Sequence, residues 1–193
     1  MNLVFTTVQS PREVQQILDL QAANHRAVVD ADTAREQGFT TVRHDPDVLL
    51  AMNREAPAAI AKYGDELAGY CLMMPQRFRE QVPILAPMFA MLERLVWRGE
   101  PLRGNPRWFV MGQVCVAQAF RGQGVFDGMY RTLREVYAAQ FDFTVTEVSR
   151  RNARSLRAHR RVGFETMHVY DDPSGEDTWE VVVWDWRQHS PSS

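Results

Sequence analysis

Residues 107–130 read RWFVMGQVCVAQAFRGQGVFDGMY, and their reading decides the fold. From Arg107 to Ala117 the stretch is apolar on both alternating faces, the pattern of a central strand covered on both sides. Gly112 inside it predicts a bulge or a close backbone approach. From Phe120 to Tyr130, Arg121 stands beside Gly122 and Gly124, and a helical pattern follows at once. Unpaired amides at a helix start point away from the helix and carry the positive end of its dipole. A pyrophosphate can sit there if no side chain blocks the approach, which is the task of Gly122 and Gly124. The turn is not a Walker loop, since no Gly-Lys-Ser/Thr follows. Nor do Gly122, Gly124 and Gly128 have the spacing of a dinucleotide fingerprint. A plain strand-to-helix turn also uses glycines, and the stretch alone does not separate the two readings.

The flanking sequence supplies the other elements. Upstream, LVFTTV reads as a first strand, and Ser10-Pro11 opens a helix with Val14, Ile17 and Leu18 at helical spacing. DPDVLLAMNRE reads as a second short helix behind Asp45. The segment AAIAKYGDELAGYCLMMP is a hairpin about Gly64-Asp65. An excursion over 76–106 holds one helix, about Pro83 to Trp97, ended by Gly99 and Pro101. Downstream, a helix to about Gln140 puts Met129, Leu133, Val136 and Tyr137 on one face. FDFTVTEV, FETMHVY and TWEVVVWDW are strands, RNARSLRAHRRV is a helix, and Asp172 to Gly175 form a turn. The alternation predicts one α/β domain over 1–187, with a mixed sheet of about seven strands flanked by helices, and a loose tail over 188–193.

Composition narrows the function. A chain of 193 residues with 45% hydrophobic and 24% charged residues is ordinary globular material. A net charge of −2 argues against nucleic-acid binding by the whole molecule. Cys71 and Cys115 each lie in an apolar stretch and read as buried free thiols, which suits a cytoplasmic protein. No segment reads as a signal peptide or a membrane span. His25 and His44 have no partner at metal-ligand spacing, so no metal is expected.

A second motif follows about thirty residues after the glycine turn. In VSRRNARSLRAHRRVGFE, Asn152, Ser155, Leu156, His159 and Val162 share a helix face that mixes apolar and polar groups. Six arginines (150, 151, 154, 157, 160 and 161) make the rest of the helix basic, either as a solvated face or, for one or two, as contacts to phosphates at the neighbouring turn.

The pair RGQGVF and N-x-x-S-L-x-x-H-x-x-V-G-F, each after a buried strand, resembles the two main motifs of the GNAT acyl-CoA-dependent N-acetyltransferases. The order of elements resembles the family over most of the chain. The resemblance implies a GNAT-like fold with a helical excursion between the third and fourth strands, and acetyl-CoA as cosubstrate. It places the pyrophosphate on Arg121, Gly122, Gln123, Gly124, Val125 and Phe126. The pantetheine arm would run along Val114, Cys115 and Val116, with Asn152, Ser155 and His159 as further contacts. Phe126 departs from the family's usual Gly or Ala. His159 stands where many relatives have a tyrosine that protonates the departing thiolate; it is either that acid or a structural residue. Glu147, at a strand end beside the expected thioester, is either the base for the amine or an ordinary strand-end charge. Gln113 could orient a group but cannot act as a base.

The implied reaction is direct attack of a primary amine, on a small molecule, in a ternary complex. The alternatives are a non-catalytic acyl-CoA sensor and a protein amine as acceptor. Neither nucleic acid nor membrane is an expected partner. The excursion is read as a helix packed on the core, as a homodimer contact, or as a wall of the acceptor pocket.

Overall fold

The computed structural model describes residues 2–25, 40, 42–172, 175 and 177–187. The expected tail over 188–193 lies outside these residues. Seven strands form one sheet: β1 (Val4–Thr7), β2 (Ala59–Tyr63), β3 (Glu66–Met74), β4 (Trp108–Val116), β5 (Phe143–Ser149), β6 (Glu165–Asp171) and β7 (Thr178–Asp185). Their order is β1-β2-β3-β4-β5-β7-β6. All neighbours are antiparallel except β4 and β5, which are parallel.

That parallel pair is short, and its shortness makes the site. Only Trp108↔Phe143, Phe109↔Thr144 and Val110↔Val145 are in register, after which the two strands part. The cause lies on the other edge of β4. Leu72 pairs with Gln113 but Met73 pairs with Met111, so Gly112 is an extra residue, the expected bulge. A bulge bends its strand and increases the local twist, here carrying β4 away from β5. Glycine suits the position, because a Cβ on Gly112 would lie 3.2 Å from Met74 Cβ.

Among the described residues five α-helices cover the two faces: α1 (Pro11–Asn24), α2 (Pro46–Glu55), α3 (Ala86–Leu92), α4 (Val125–Tyr137) and α5 (Ala153–Val162). Ser10 caps α1 in a reciprocal capping box with Glu13, and Asp45 caps α2 through the amides of Asp47 and Val48. On one face, α4 and α5 bury Met129, Tyr130, Leu133 and Leu156 against Phe109, Met111 and Trp184. On the other, α1 and α2 bury Ile17 and Leu49 against Ile60, Tyr70 and Leu72. Each such side chain contributes roughly 1.5–3 kcal/mol by leaving water.

Three expectations need correction. The excursion helix is only Ala86–Leu92, preceded by 3-10 turns at Gln76–Gln81 and Pro83–Leu85. Gly99 does not end a helix. It turns a small hairpin in which Val96–Trp97 pairs with Glu100–Pro101, with Arg98 and Gly99 both at positive φ (50° and 85°). The excursion's apolar side chains pack into the core, one of the three readings above. Phe78, Val82, Met88, Phe89 and Leu92 are buried in a core with Met52, Trp108 and Phe143. On α4, Val136 is 41% exposed, because the helix ends at Tyr137 and its buried stripe runs through Met129, Leu133 and Tyr137.

Gly163 closes α5 at φ 120°, with its own amide and that of Phe164 donating to the carbonyl of His159. A Cβ there would lie 2.8 Å from Trp184 Nε1. Gly163→Ala is expected to cost about 1–3 kcal/mol in a urea unfolding titration, from strain plus the clash. A change below ~0.5 kcal/mol would contradict this account of the cap.

Candidate active site

Where β4 and β5 part, two adjoining clefts open. The larger, ≈ 460 Å³, begins at Val114, Cys115 and Val116 and extends to the glycine turn. Arg121, Gly122, Gly124, Val125 and Phe126 line it from the turn, and Asn152, Arg154, Ser155 and Arg157 from α5. The smaller, ≈ 100 Å³, lies at the split and is lined by Gln113, Glu147, His159 and Trp179 among others. Thr40, Val114, Asn152 and Ser155 line both, so they mark the junction. Of the expected site residues only Gln123 lines neither: its side chain folds back to donate to the Ala119 carbonyl at 3.0 Å.

The turn is shaped by two left-handed glycines, Gly122 at φ 76° and Gly124 at φ 77°. Gly124 is the N-cap of α4 and gives no side-chain hydrogen bond, so the first amides of α4 are free of intrahelical and side-chain acceptors. Phe126 does not close the cleft. Its ring packs on Tyr130 at 4.8 Å and edge-on to His159 at 5.2 Å between centroids.

Charge around the turn is sorted by pairing. Arg150 and Arg160 share Glu180 at 3.0 and 2.9 Å, Arg151 approaches Asp177 at 3.8 Å, and Arg161 pairs with Asp127 at 2.7 Å. Arg154 and Arg157 have no ion pair among the described residues, and both line the larger cleft. Arg121 donates to the Val116 carbonyl (3.1 Å) and to Asn24 Oδ1 (2.9 Å), tying the end of β4 to the end of α1. Burial, with the charge of Arg154 adding to it, lowers the Arg121 pKa. Two cations without carboxylate partners beside free helix amides are suited to a polyanion.

His159 is 1% exposed and both its ring nitrogens are engaged. Nδ1 lies 2.8 Å from the Ser155 carbonyl, which can only accept, so Nδ1 carries the proton. Nε2 then accepts from the Tyr130 hydroxyl at 2.7 Å. Burial pushes its pKa down to about 4, so the ring is neutral near pH 7.

Glu147 is half-buried at the split, and the Tyr170 hydroxyl donates to its Oε2 at 2.5 Å. Burial raises its pKa, opposed by the Tyr170 hydrogen bond and reinforced by the charge of Asp172. Gln113 is fixed at both ends of its amide: Tyr70 Oη donates to Oε1 at 2.5 Å and Nε2 donates to the Val42 carbonyl at 2.9 Å. Tyr70 and His44 are buried behind it and line neither cleft. Cys115 lines the larger cleft as a thiol, its pKa pushed up to about 12 by burial, and neither cysteine is bonded.

Sequence reasoning did not single out Trp179, Asn24 or Thr40 as site residues, nor Arg154 and Arg157 among six arginines. Only the pairing of the other four with carboxylates on α4, β7 and the β6–β7 connection separates them, and that is a long-range property. Among the described residues no cluster of His, Cys, Asp and Glu could hold a metal. No helix among them is long and apolar enough to cross a membrane.

A sequence profile of the acetyltransferase (GNAT) family matches residues 17–164. The chain belongs to the GNAT family. The match takes in the bulged β4, the glycine turn and the whole of α5. Solved structures share the GNAT fold at low identity. A ribosomal-protein-alanine N-acetyltransferase from Brucella melitensis superposes with a TM-score of 0.62 at 16% identity, over 94% of this chain and 99% of that one. The yncA protein of Salmonella typhimurium, solved with its cofactor acetyl-CoA, gives 0.62 at 14%, over 99% and 98%. The ribosomal-protein-S18-alanine N-acetyltransferase of Escherichia coli gives 0.60 at 9%, over 95% and 94%. No curated protein matches the chain in sequence.

Proposed function

We propose that this GNAT protein moves the acetyl group of acetyl-CoA to a primary amine of a small molecule by direct attack in a ternary complex. The observation that carries the reading is the continuity of the two clefts. One end offers free amides with unpaired Arg154 and Arg157, and the other offers a carboxylate, Glu147, at the split. In this reading the pyrophosphate lies on the amides from Gly122 to Phe126, and the two arginines meet phosphate oxygens. The pantetheine arm follows Val114 to Val116, the edge of β4 that β5 leaves unpaired. Its thioester then stands at the junction beside Asn152 and Ser155.

The amine enters through the smaller cleft between Glu147 and Trp179. That side offers a carboxylate for the ammonium and an aromatic face for its positive charge. A volume of ≈ 100 Å³ favours a slender chain over a bulky one. Glu147 first takes a proton from the ammonium and passes it to water; the neutral amine then attacks the carbonyl carbon, and an amide of the free β4 edge holds the oxyanion. His159 has no proton to give toward the sulfur, so its place is structural. It props α5 on Tyr130 and Phe126.

The test is release of CoA thiol from acetyl-CoA in the presence of straight-chain amines, branched amines and short peptides. Acceptor-dependent release, fastest with the slender amines, is expected. Thiol release that is the same with and without every amine would contradict the reading.

A further inference from the structure

Among the described residues the hydroxyl proton of Ser155 finds no acceptor. The only hydrogen-bond partner of its Oγ among the described residues is His159 Nδ1, at 3.2 Å. That nitrogen is itself a donor, because it faces the Ser155 carbonyl at 2.8 Å while Nε2 accepts from Tyr130. The serine oxygen therefore receives a second, longer share of the same N–H, and its own O–H is left over. Ser155 is half-buried and belongs to the small set of residues that line both clefts. The other polar side chains of that set are committed differently. Thr40 Oγ1 donates to the Asn24 carbonyl, and Asn152 Oδ1 caps α5 through the Ser155 amide, leaving its NH₂ for a carbonyl of the cofactor arm.

We propose that Ser155 Oγ–H donates a hydrogen bond to the thioester sulfur as it departs, and that His159 is the positioning residue that keeps this hydroxyl turned to the junction. The proposal rests on the acetyl-CoA reading above. In the step, the amine nitrogen forms a bond to the carbonyl carbon and the C–S bond breaks, its electron pair leaving on sulfur. The proton lost by the amine passes to Glu147 and on to water, and the thiolate takes one proton from water as CoA leaves. Ser155 keeps its own proton. It stabilises the charge while sulfur carries it, as a hydrogen bond to an ionised acceptor does.

The readout does not require the acceptor. CoA bound to the protein is titrated from neutral to alkaline pH, following thiolate absorbance in the ultraviolet, with wild type, Ser155→Ala, Ser155→Thr and Asn152→Ala. The bound thiol should ionise about one pH unit higher in Ser155→Ala than in wild type. Ser155→Thr should restore the wild-type value, and Asn152→Ala should weaken CoA binding without moving it. The CoA Kd of Ser155→Ala, measured below both pKa values, should stay within about threefold of wild type. With a turned-over amine its kcat should fall about 10–100-fold. An unchanged thiol titration in Ser155→Ala overturns the proposal. So does a loss of CoA affinity that accounts for the whole fall in kcat/KM, which would make Ser155 a plain binding contact. Failure of wild type to bind CoA overturns the cofactor reading itself, a result distinct from either.

Discussion

Glu147→Gln should lower kcat by about 10²–10⁴-fold and leave acetyl-CoA affinity unchanged. The substitution keeps the shape of the side chain and a hydrogen-bond acceptor for Tyr170, but removes the basic oxygen. Glu147 lines only the smaller cleft, away from the glycine turn, so the cofactor's seat should not sense the change. The pH profile gives an independent check. Because burial raises the carboxyl pKa, the base form is lost at a higher pH than for an ordinary carboxylate. Activity should therefore fall as pH drops through that raised value. Tyr170→Phe removes a hydrogen bond that favours the charged form, so it should move the acid limb to still higher pH. A Glu147→Gln enzyme within threefold of wild-type kcat, or an acid limb that stays put in Tyr170→Phe, would remove Glu147 from the chemistry.

The second large effect is expected at the turn. Gly124→Val should weaken acetyl-CoA binding at least ~100-fold, or about 2.7 kcal/mol. Gly122 and Gly124 hold positive φ, and a Cβ at either would meet no protein atom within 4 Å. The added side chain at Gly124 would thus project into the cleft that both glycines line, where the pyrophosphate is expected. The left-handed backbone itself costs a non-glycine residue roughly 1–2 kcal/mol, which a stability measurement will register as well. Gly64→Ala supplies the control. Gly64 has φ 58° and an equally open surrounding, but it turns the β2–β3 hairpin and lines neither cleft. It should lose stability for the same backbone reason and keep full affinity for acetyl-CoA. Equal affinity losses in both variants would trace the effect to general destabilisation, not to the turn.

Much of this architecture is legible in the chain. Local signals mark Ser10 and Asp45 as caps, Gly64-Asp65 as a hairpin turn, and Gly112 as a bulge, because each depends on a few neighbouring residues. The order of strands and helices is legible for the same reason, and with it the GNAT fold. The excursion over 76–106 is where local reading fails. A periodic apolar run predicts one helix to Trp97, but the side chains of that run are spent on a core shared with Met52 and Trp108, through short 3-10 turns that carry no period of their own.

At the site, the glycine turn and Glu147 are legible because strand ends and glycine spacing are local. The state of His159 is not. Its neutrality comes from burial, under Phe126 and against Tyr130, 29 residues away, which a helical wheel does not reveal. The sorting of arginines is hidden likewise, since Arg150 and Arg160 are neutralised by Glu180 across the sheet.

Titration calorimetry of the purified protein with acetyl-CoA tests the central claim most directly, with dephospho-CoA and NAD as comparators. The account predicts micromolar binding of acetyl-CoA, weaker binding of dephospho-CoA, which keeps the pyrophosphate but brings one phosphate fewer to a cleft lined by Arg154 and Arg157, and no binding of NAD. Absence of binding by any CoA species, or equal binding of NAD, would contradict it.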